Sequence, residues 1–219
     1  MSSDPGLRLH LGCGSHVIDG WVNVDRSPNV YLTRVPGLRT VLGRLGILSS
    51  AQAGAVFPRG IVRADVSRRI PAEDGSASVA YASHMIEHLS RWQALALLRE
   101  CMRVLRPGGV VRIVTPDLAE IIASYVRDDA TSPPPRGDRF MKDLLTFHDP
   151  EGVGRIQRVA GKLLSGSAHQ WLYDEESLVA LLSEAGFVNA VRQSYRDGDT
   201  PDLEEIETRT GLVVEARRP

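Results

Sequence analysis

Apolar and polar positions alternate at the start of the chain, then switch to helical spacing, and the switch recurs. Leu7, Leu9 and Leu11 alternate into Gly12-Cys13-Gly14, which predicts a buried strand ending in a tight loop that a ligand can approach closely. Gly20-Trp21-Val22-Asn23-Val24-Asp25 predicts a second short strand that ends in an acid. Beyond Pro28 and Pro36, residues 38–48 place Leu38, Val41, Leu42 and Leu45 on one helical face, with Arg39 and Arg44 away from it. Gly60-Ile61-Val62-Arg63-Ala64-Asp65 reads as a third strand, again with a terminal acid, and a turn at Glu73-Asp74-Gly75 leads to a fourth over 77–82.

Ser90 and Gln93 have the spacing of a capping box, and Ala94, Leu97, Leu98, Cys101, Met102 and Leu105 follow as one helical face. Pro107-Gly108-Gly109 is expected to stop that helix, and the β-branched run at 110–114 suits a strand buried on both faces. Asp117 and Glu120 can cap a helix carrying Leu118, Ile121, Ile122 and Tyr125 on one side. Residues 128–138, with Pro133-Pro134-Pro135, read as a stiff loop, followed by short amphipathic segments near 139–147 and 155–164. Asp174 caps a helix with Leu178, Leu181, Leu182 and Ala185, ended by Gly186. Residues 187–194 and 212–216 are the last two strands, and the acidic connection between them has room for a short helix. Strands alternating with helices predict an α/β fold: a parallel, doubly wound sheet closed by a strand pair at the C-terminal end.

Composition narrows this little but excludes much. At 219 residues the chain fits one α/β domain, 1–219, with a core of its own. A formal charge of −1 and the absence of a lysine or arginine run leave no footprint for nucleic acid. The start of the chain has neither a basic region nor an apolar stretch, and no apolar run is long enough to span a bilayer. The expectation is a cytoplasmic protein without stable membrane insertion; homo-oligomerisation is left open. Cys13 and Cys101 stand in different contexts and make neither a disulfide framework nor a zinc cluster.

The chemistry starts at the glycine loop. In a doubly wound sheet the ends of the first two strands are neighbours, and ligands bind beyond such ends. The loop would offer backbone N–H groups and Asp25 a carboxylate for ribose hydroxyls. Two glycines replace the three of the dinucleotide fingerprint, and Asp25 follows Gly12 by thirteen residues where that fingerprint has about twenty. So short a connection leaves little room for a helix and points to a smaller cofactor without a pyrophosphate.

With the GCG…GWxNVD start, the Glu87-His88-Leu89 segment and the Leu105-Arg106-Pro107-Gly108-Gly109 turn, the chain resembles class I S-adenosylmethionine-dependent methyltransferases. The resemblance is closest to small bacterial members and continues through Pro116-Asp117-Leu118, His169-Gln170-Trp171-Leu172-Tyr173-Asp174, Glu184-Ala185-Gly186-Phe187 and Val214-Glu215-Ala216. It implies the Rossmann-like fold of that class, mostly parallel with an antiparallel C-terminal strand, and S-adenosylmethionine as cofactor. Gly12, Cys13 and Gly14 would pass under its methionine part, Asp25 with Arg26 would meet the ribose, and Asp65 with Val66 would sit beside the adenine. Ser83 and His84 would face the sulfonium end and the acceptor. Insertions near 28–58 and 128–170 would cover the acceptor pocket.

The implied reaction is methyl transfer to a small-molecule or glycan acceptor, most readily at oxygen. A hydroxyl must lose its proton, and histidine suits that task; His84 is the first candidate base, with His148 and His169 as contributors. A carboxylate acceptor would need no base. His84-x-x-Glu87-His88 also spells the H-x-x-E-H pattern of inverted zinc proteases. That pattern belongs within a helix and needs a remote ligand, whereas here it directly follows a strand. Glu87 and His88 are therefore expected to brace the loop under the cofactor and no metal is expected, although a looser divalent-metal role stays open. The alternatives are a cofactor-binding partner or regulatory subunit without its own catalysis and, more weakly, a nucleotide-sugar or nicotinamide enzyme.

Overall fold

The computed structural model describes residues 6–27, 29–32, 34–35, 37–48, 54, 58–128, 133–144 and 168–219. Strands β1 (Leu7–Leu11), β2 (Val22–Asp25), β3 (Val62–Arg63), β4 (Ala77–Ser83), β5 (Leu105–Thr115), β6 (Val188–Gln193) and β7 (Leu212–Arg217) form one sheet, in the order β3-β2-β1-β4-β5-β7-β6. Pairing is parallel from β3 through β5, and β7 runs antiparallel to both β5 and β6. This is the doubly wound, mostly parallel sheet that the sequence predicts. Residues 12–21 contain no helix, in keeping with the short connection between the first two strands.

The helices among the described residues are α1 (Asn29–Leu32), α2 (Leu38–Arg44), α3 (Arg91–Val104), α4 (Leu118–Arg127), α5 (Arg136–Leu144), α6 (Glu175–Glu184) and α7 (Leu203–Ile206), with a 3₁₀ turn at Ile86–His88. The three expected caps form, with Asp117 Oδ1 accepting from Ala119 N and Glu120 N at the start of α4. Ser90 and Gln93 complete a capping box on α3, and Asp174 and Ser177 complete one on α6. The strand pleat sends alternate residues to opposite faces. On β4, Ala80 and Ala82 join the large core with Leu97 and Leu98 of α3 and Leu178 and Leu181 of α6. Val79 and Tyr81 point the other way, into a smaller core with Trp21, Val114 and Ile206.

Three local expectations are corrected. The third strand shrinks to Val62–Arg63 at the sheet edge, so Asp65 lies beyond it. Helix α3 gives way to β5 at Leu105, ahead of Pro107-Gly108-Gly109, which becomes an irregular start of the strand with a register shift between Ala77 and Val79 of β4. Proline disfavours the helical region for its predecessor Arg106, so the helix ends early. Helix α2 buries Arg39, which donates to Asn29 Oδ1, and exposes Val41 and Leu45. The segment at 155–164 lies outside the described residues.

The run at 110–114 is indeed buried, but Arg112 sits inside it, wholly shielded from solvent. Its direct register partner is Glu215 of β7. Arg112 Nε donates to Glu207 Oε2 at 2.5 Å, and Nη1 donates to Glu215 Oε1 at 2.9 Å and to the Asp197 carbonyl at 2.8 Å. The second carboxylate's charge is met by the N–H groups of Asp199 and Thr200 on Glu215 and of Arg196 on Glu207. The close packing also requires glycine at 198, where a Cβ would lie 2.8 Å from both Arg112 Nη1 and Glu215. Arg112→Met is expected to lose about 3–5 kcal/mol in urea denaturation, because it leaves buried carboxylates uncompensated. A loss below about 1 kcal/mol, the range of an exposed pair, would contradict this account.

Candidate functional site

Strand register creates the site. Leu11 pairs with Val24 on one side and with Ala82 on the other, and Ala82 pairs with Ile113. Gly12, Asp25 and Ser83 therefore emerge side by side at the carboxyl ends of three parallel strands, where ligands of doubly wound sheets bind.

The loop after β1 is held by its own backbone. Gly12 N and Cys13 N donate to the Val24 carbonyl at 2.8 and 3.1 Å. Gly14 N donates to Asp25 Oδ2 at 2.8 Å, and Ser27 N donates to Oδ1 at 2.6 Å. Each carboxylate oxygen keeps a second lone pair for another donor. Gly12 has φ +70°, and a Cβ there would lie 2.4 Å from Met85 Cγ, so only glycine fits. Burial pushes the Cys13 thiol up to about 12, with the nearby Asp25 charge adding to the effect, which leaves a small unreactive side chain.

Asn23 is a residue that the sequence reading missed. Its Nδ2 donates to the Ile18 and Trp21 carbonyls at 3.0 Å, and its Oδ1 accepts from Ile18 N at 3.1 Å. His10 Nδ1, 3.3 Å from the same Oδ1, must then be the nitrogen that carries hydrogen. A polar residue between Val22 and Val24, in the inward phase of a strand, was the available signal.

The remaining cofactor-side candidates divide. Asp65 Oδ1 accepts from Ser67 N and Oγ at 3.2 and 2.7 Å, the geometry of a turn cap. The Val66 side chain belongs to the large core. Arg26 is exposed beside Asp25, and Ser83 ends β4 half-buried.

Three histidines gather around Glu87. His84 takes a left-handed backbone (φ +48°), with its N–H on the Val114 carbonyl at 2.8 Å. Its Nε2 lies 3.0 Å from the Thr210 carbonyl and its Nδ1 3.4 Å from Glu87 Oε1. Glu87 is fully buried; Thr115 Oγ1 donates to Oε2 at 3.3 Å, and the Glu87 carbonyl accepts from Gln170 N and Trp171 N at 2.7 and 3.2 Å. The turn thus braces the segment at 168–173. His169 is buried there, with Nδ1 2.8 Å from the Leu144 carbonyl and its ring centroid 4.9 Å from that of His88. Burial lowers its pKa, while the Glu87 charge works in the opposite direction. His148 lies outside the described residues.

Residues 9–113 match the protein family described as methyltransferase domain, a span just under half of the chain. A relative from Mycolicibacterium smegmatis, described as a probable S-adenosylmethionine-dependent methyltransferase, is 37% identical over 83 residues. That match covers 38% of this chain and 31% of the relative, so the chain matches about a third of the relative's length. Among solved structures, a SAM-dependent methyltransferase of Methanosarcina mazei has a TM-score of 0.50 at 18% identity, covering 97% of this chain and 92% of that one. Another from Mesorhizobium loti has a TM-score of 0.46 at 20% identity, covering 98% of this chain and 91% of that one. The first structural likeness speaks to the fold alone.

The support under the loop carries a pH dependence. Burial lowers the pKa of His10 from 6.5 to about 4, against the opposing effect of its bond to Asn23. The unfolded chain therefore binds this proton before the folded chain does, and stability falls as pH drops from 6.5 towards 4. The loss is on the order of 3 kcal/mol, and His10→Gln should remove it from a denaturation series across that range. Parallel pH profiles for the two proteins would contradict this assignment.

Proposed function

We propose that this chain transfers a methyl group from S-adenosylmethionine to an oxygen atom of a small-molecule or glycan acceptor. One observation carries the reading: the Gly12–Gly14 loop and the Asp25 carboxylate meet at the carboxyl ends of β1 and β2, without an intervening helix and with Val17 where the dinucleotide fingerprint has its third glycine. The match to the methyltransferase domain family and the description of the Mycolicibacterium smegmatis relative support the same cofactor. In this reading the backbone of Gly12, Cys13 and Gly14 lies against the methionine moiety. Asp25, flanked by Arg26, takes the ribose hydroxyls on its remaining lone pairs, and Asp65 with the Val66 backbone borders the adenine.

Bound cofactor supplies a methyl on positively charged sulfur. The chain has to align the acceptor behind that methyl, which is worth roughly 7–11 kcal/mol in favourable systems, and to remove a proton. Ser83 and His84 stand at the strand end that faces both tasks. The Thr210 carbonyl, 3.0 Å from His84 Nε2, can only accept and so keeps the hydrogen on Nε2 in this structure; once that carbonyl is displaced, Glu87 Oε1, 3.4 Å from Nδ1, favours the tautomer with hydrogen on Nδ1. Nε2 is then the basic nitrogen, and an acceptor hydroxyl replaces the Thr210 carbonyl beside it. His148 and His169 are secondary contributors from the segments proposed to cover the acceptor, near 28–58 and 128–170.

Asp25→Ala should weaken S-adenosylhomocysteine binding about 10- to 100-fold by calorimetry, the value of a hydrogen bond to a charged group. Unchanged affinity would place the ribose elsewhere. His84→Gln should lower the transfer rate about 100- to 10,000-fold in an acceptor screen while leaving that affinity intact. Full activity in the variant would exclude His84 as the base.

A further inference from the structure

The Glu87 carboxylate is wholly buried, yet among the described residues its Oε1 has no hydrogen-bond partner. Such an oxygen calls for a compensating positive charge. What faces it is instructive. A carbonyl oxygen can only accept, so the contact with Leu144 makes Nδ1 the hydrogen-bearing nitrogen of His169. In the neutral ring Nε2 then carries a lone pair, and it lies 3.9 Å from Glu87 Oε1. Among the described residues no hydrogen bond joins these two acceptors. His88 completes the group: one ligand atom from each of Glu87, His88 and His169 lies within 4.8 Å of the others.

We propose that Glu87, His88 and His169 bind a divalent cation of the zinc type. Two imidazole nitrogens and one carboxylate oxygen form a borderline-soft donor set that suits zinc, whereas magnesium and calcium take oxygen ligands. The outer contacts are those that such a site needs. The second ring nitrogen of His169 is anchored on a backbone carbonyl, and Glu87 Oε2 accepts from Thr115 Oγ1. The remaining lone pair of Oε1 can accept from His84 Nδ1, so the ion and a basic His84 are compatible. Bound zinc ligands stand closer together than 4.8 Å, at roughly 3.3 Å for tetrahedral bonds of about 2 Å, so small side-chain rotations close the set on the ion.

The ligands come from two places in the chain, the turn after β4 and the segment at 168–173. The ion therefore fastens that segment beside Met85, the residue packed on Gly12. Three protein ligands leave a fourth position for water or an acceptor oxygen.

The test uses the full chain, stripped with chelator and titrated with cobalt(II) and zinc(II). One ion should bind per chain, and cobalt should show the visible absorption of a tetrahedral site and be displaced by zinc. Glu87→Gln and His169→Ala should each weaken binding by about 100-fold or more, beyond the 10- to 100-fold of outer contacts. His16→Ala, remote from the cluster, should bind as wild type. Failure of the wild-type protein to bind cobalt or zinc stoichiometrically would overturn the proposal, as would binding untouched by both cluster substitutions. S-adenosylhomocysteine binding, measured on the same sample, separates this result from the proposed function: a chain that binds the cofactor product but no metal overturns the metal site alone.

Discussion

The parallel pairing of β1 with β2 and β4 is the constraint on which the site depends. Because Leu11 is level with both Val24 and Ala82, the chain leaves the sheet at neighbouring points on the same edge. A slip of one residue in either pairing would turn the apolar set of β1 away from its core. It would also separate Gly14 N from the Asp25 carboxylate. The large core on one face and the Trp21–Tyr81 cluster on the other fix that register from both sides. Packing and the geometry of the candidate site are thus specified by the same residues.

Buried charge is handled in two ways. At Arg112 the problem is closed within the protein: the guanidinium meets two carboxylates, and backbone N–H groups satisfy the remaining oxygens. That arrangement holds the connection at 194–207 against β5 and β7. At Glu87, among the described residues, one oxygen has no hydrogen-bond partner, and the imidazoles of His84 and His169 lie 3.4 and 3.9 Å from it. The first cluster is built from groups that keep their charge, and the second from groups that can exchange a proton or bind an ion. The second lies at the strand ends beside the glycine loop. A polar group left incompletely satisfied there is more readily understood as part of a site than as a structural brace.

Much of this was legible in the sequence because its signals are local. The glycine loop, the capping spacing of Ser90 with Gln93 and the short path from Gly12 to Asp25 involve neighbouring residues, and each takes the form expected. Distant partnerships were not legible. Arg112 meets Glu207 and Glu215 across 95 and 103 residues, and nothing near Arg112 in the chain announces either partner. The face of α2 was misjudged because the apolar stripe of a short helix at an insertion does not say which neighbour it meets; Arg39, paired with Asn29, took the inner position. Of the candidate site, the placement of Gly12 and Asp25 at neighbouring strand ends was readable. The approach of His169 to Glu87 was not, because it depends on how a remote segment returns to the sheet.

The central claim is that the carboxyl ends of β1 and β2 hold a methyl donor with its sulfur directed towards His84. A crystal structure with S-adenosylhomocysteine tests it most directly. The account predicts density across the Gly12–Gly14 loop, ribose hydroxyls on the Asp25 carboxylate and the thioether sulfur on the Ser83–His84 side. Ligand bound away from those strand ends, or a ribose that does not meet Asp25, would contradict it.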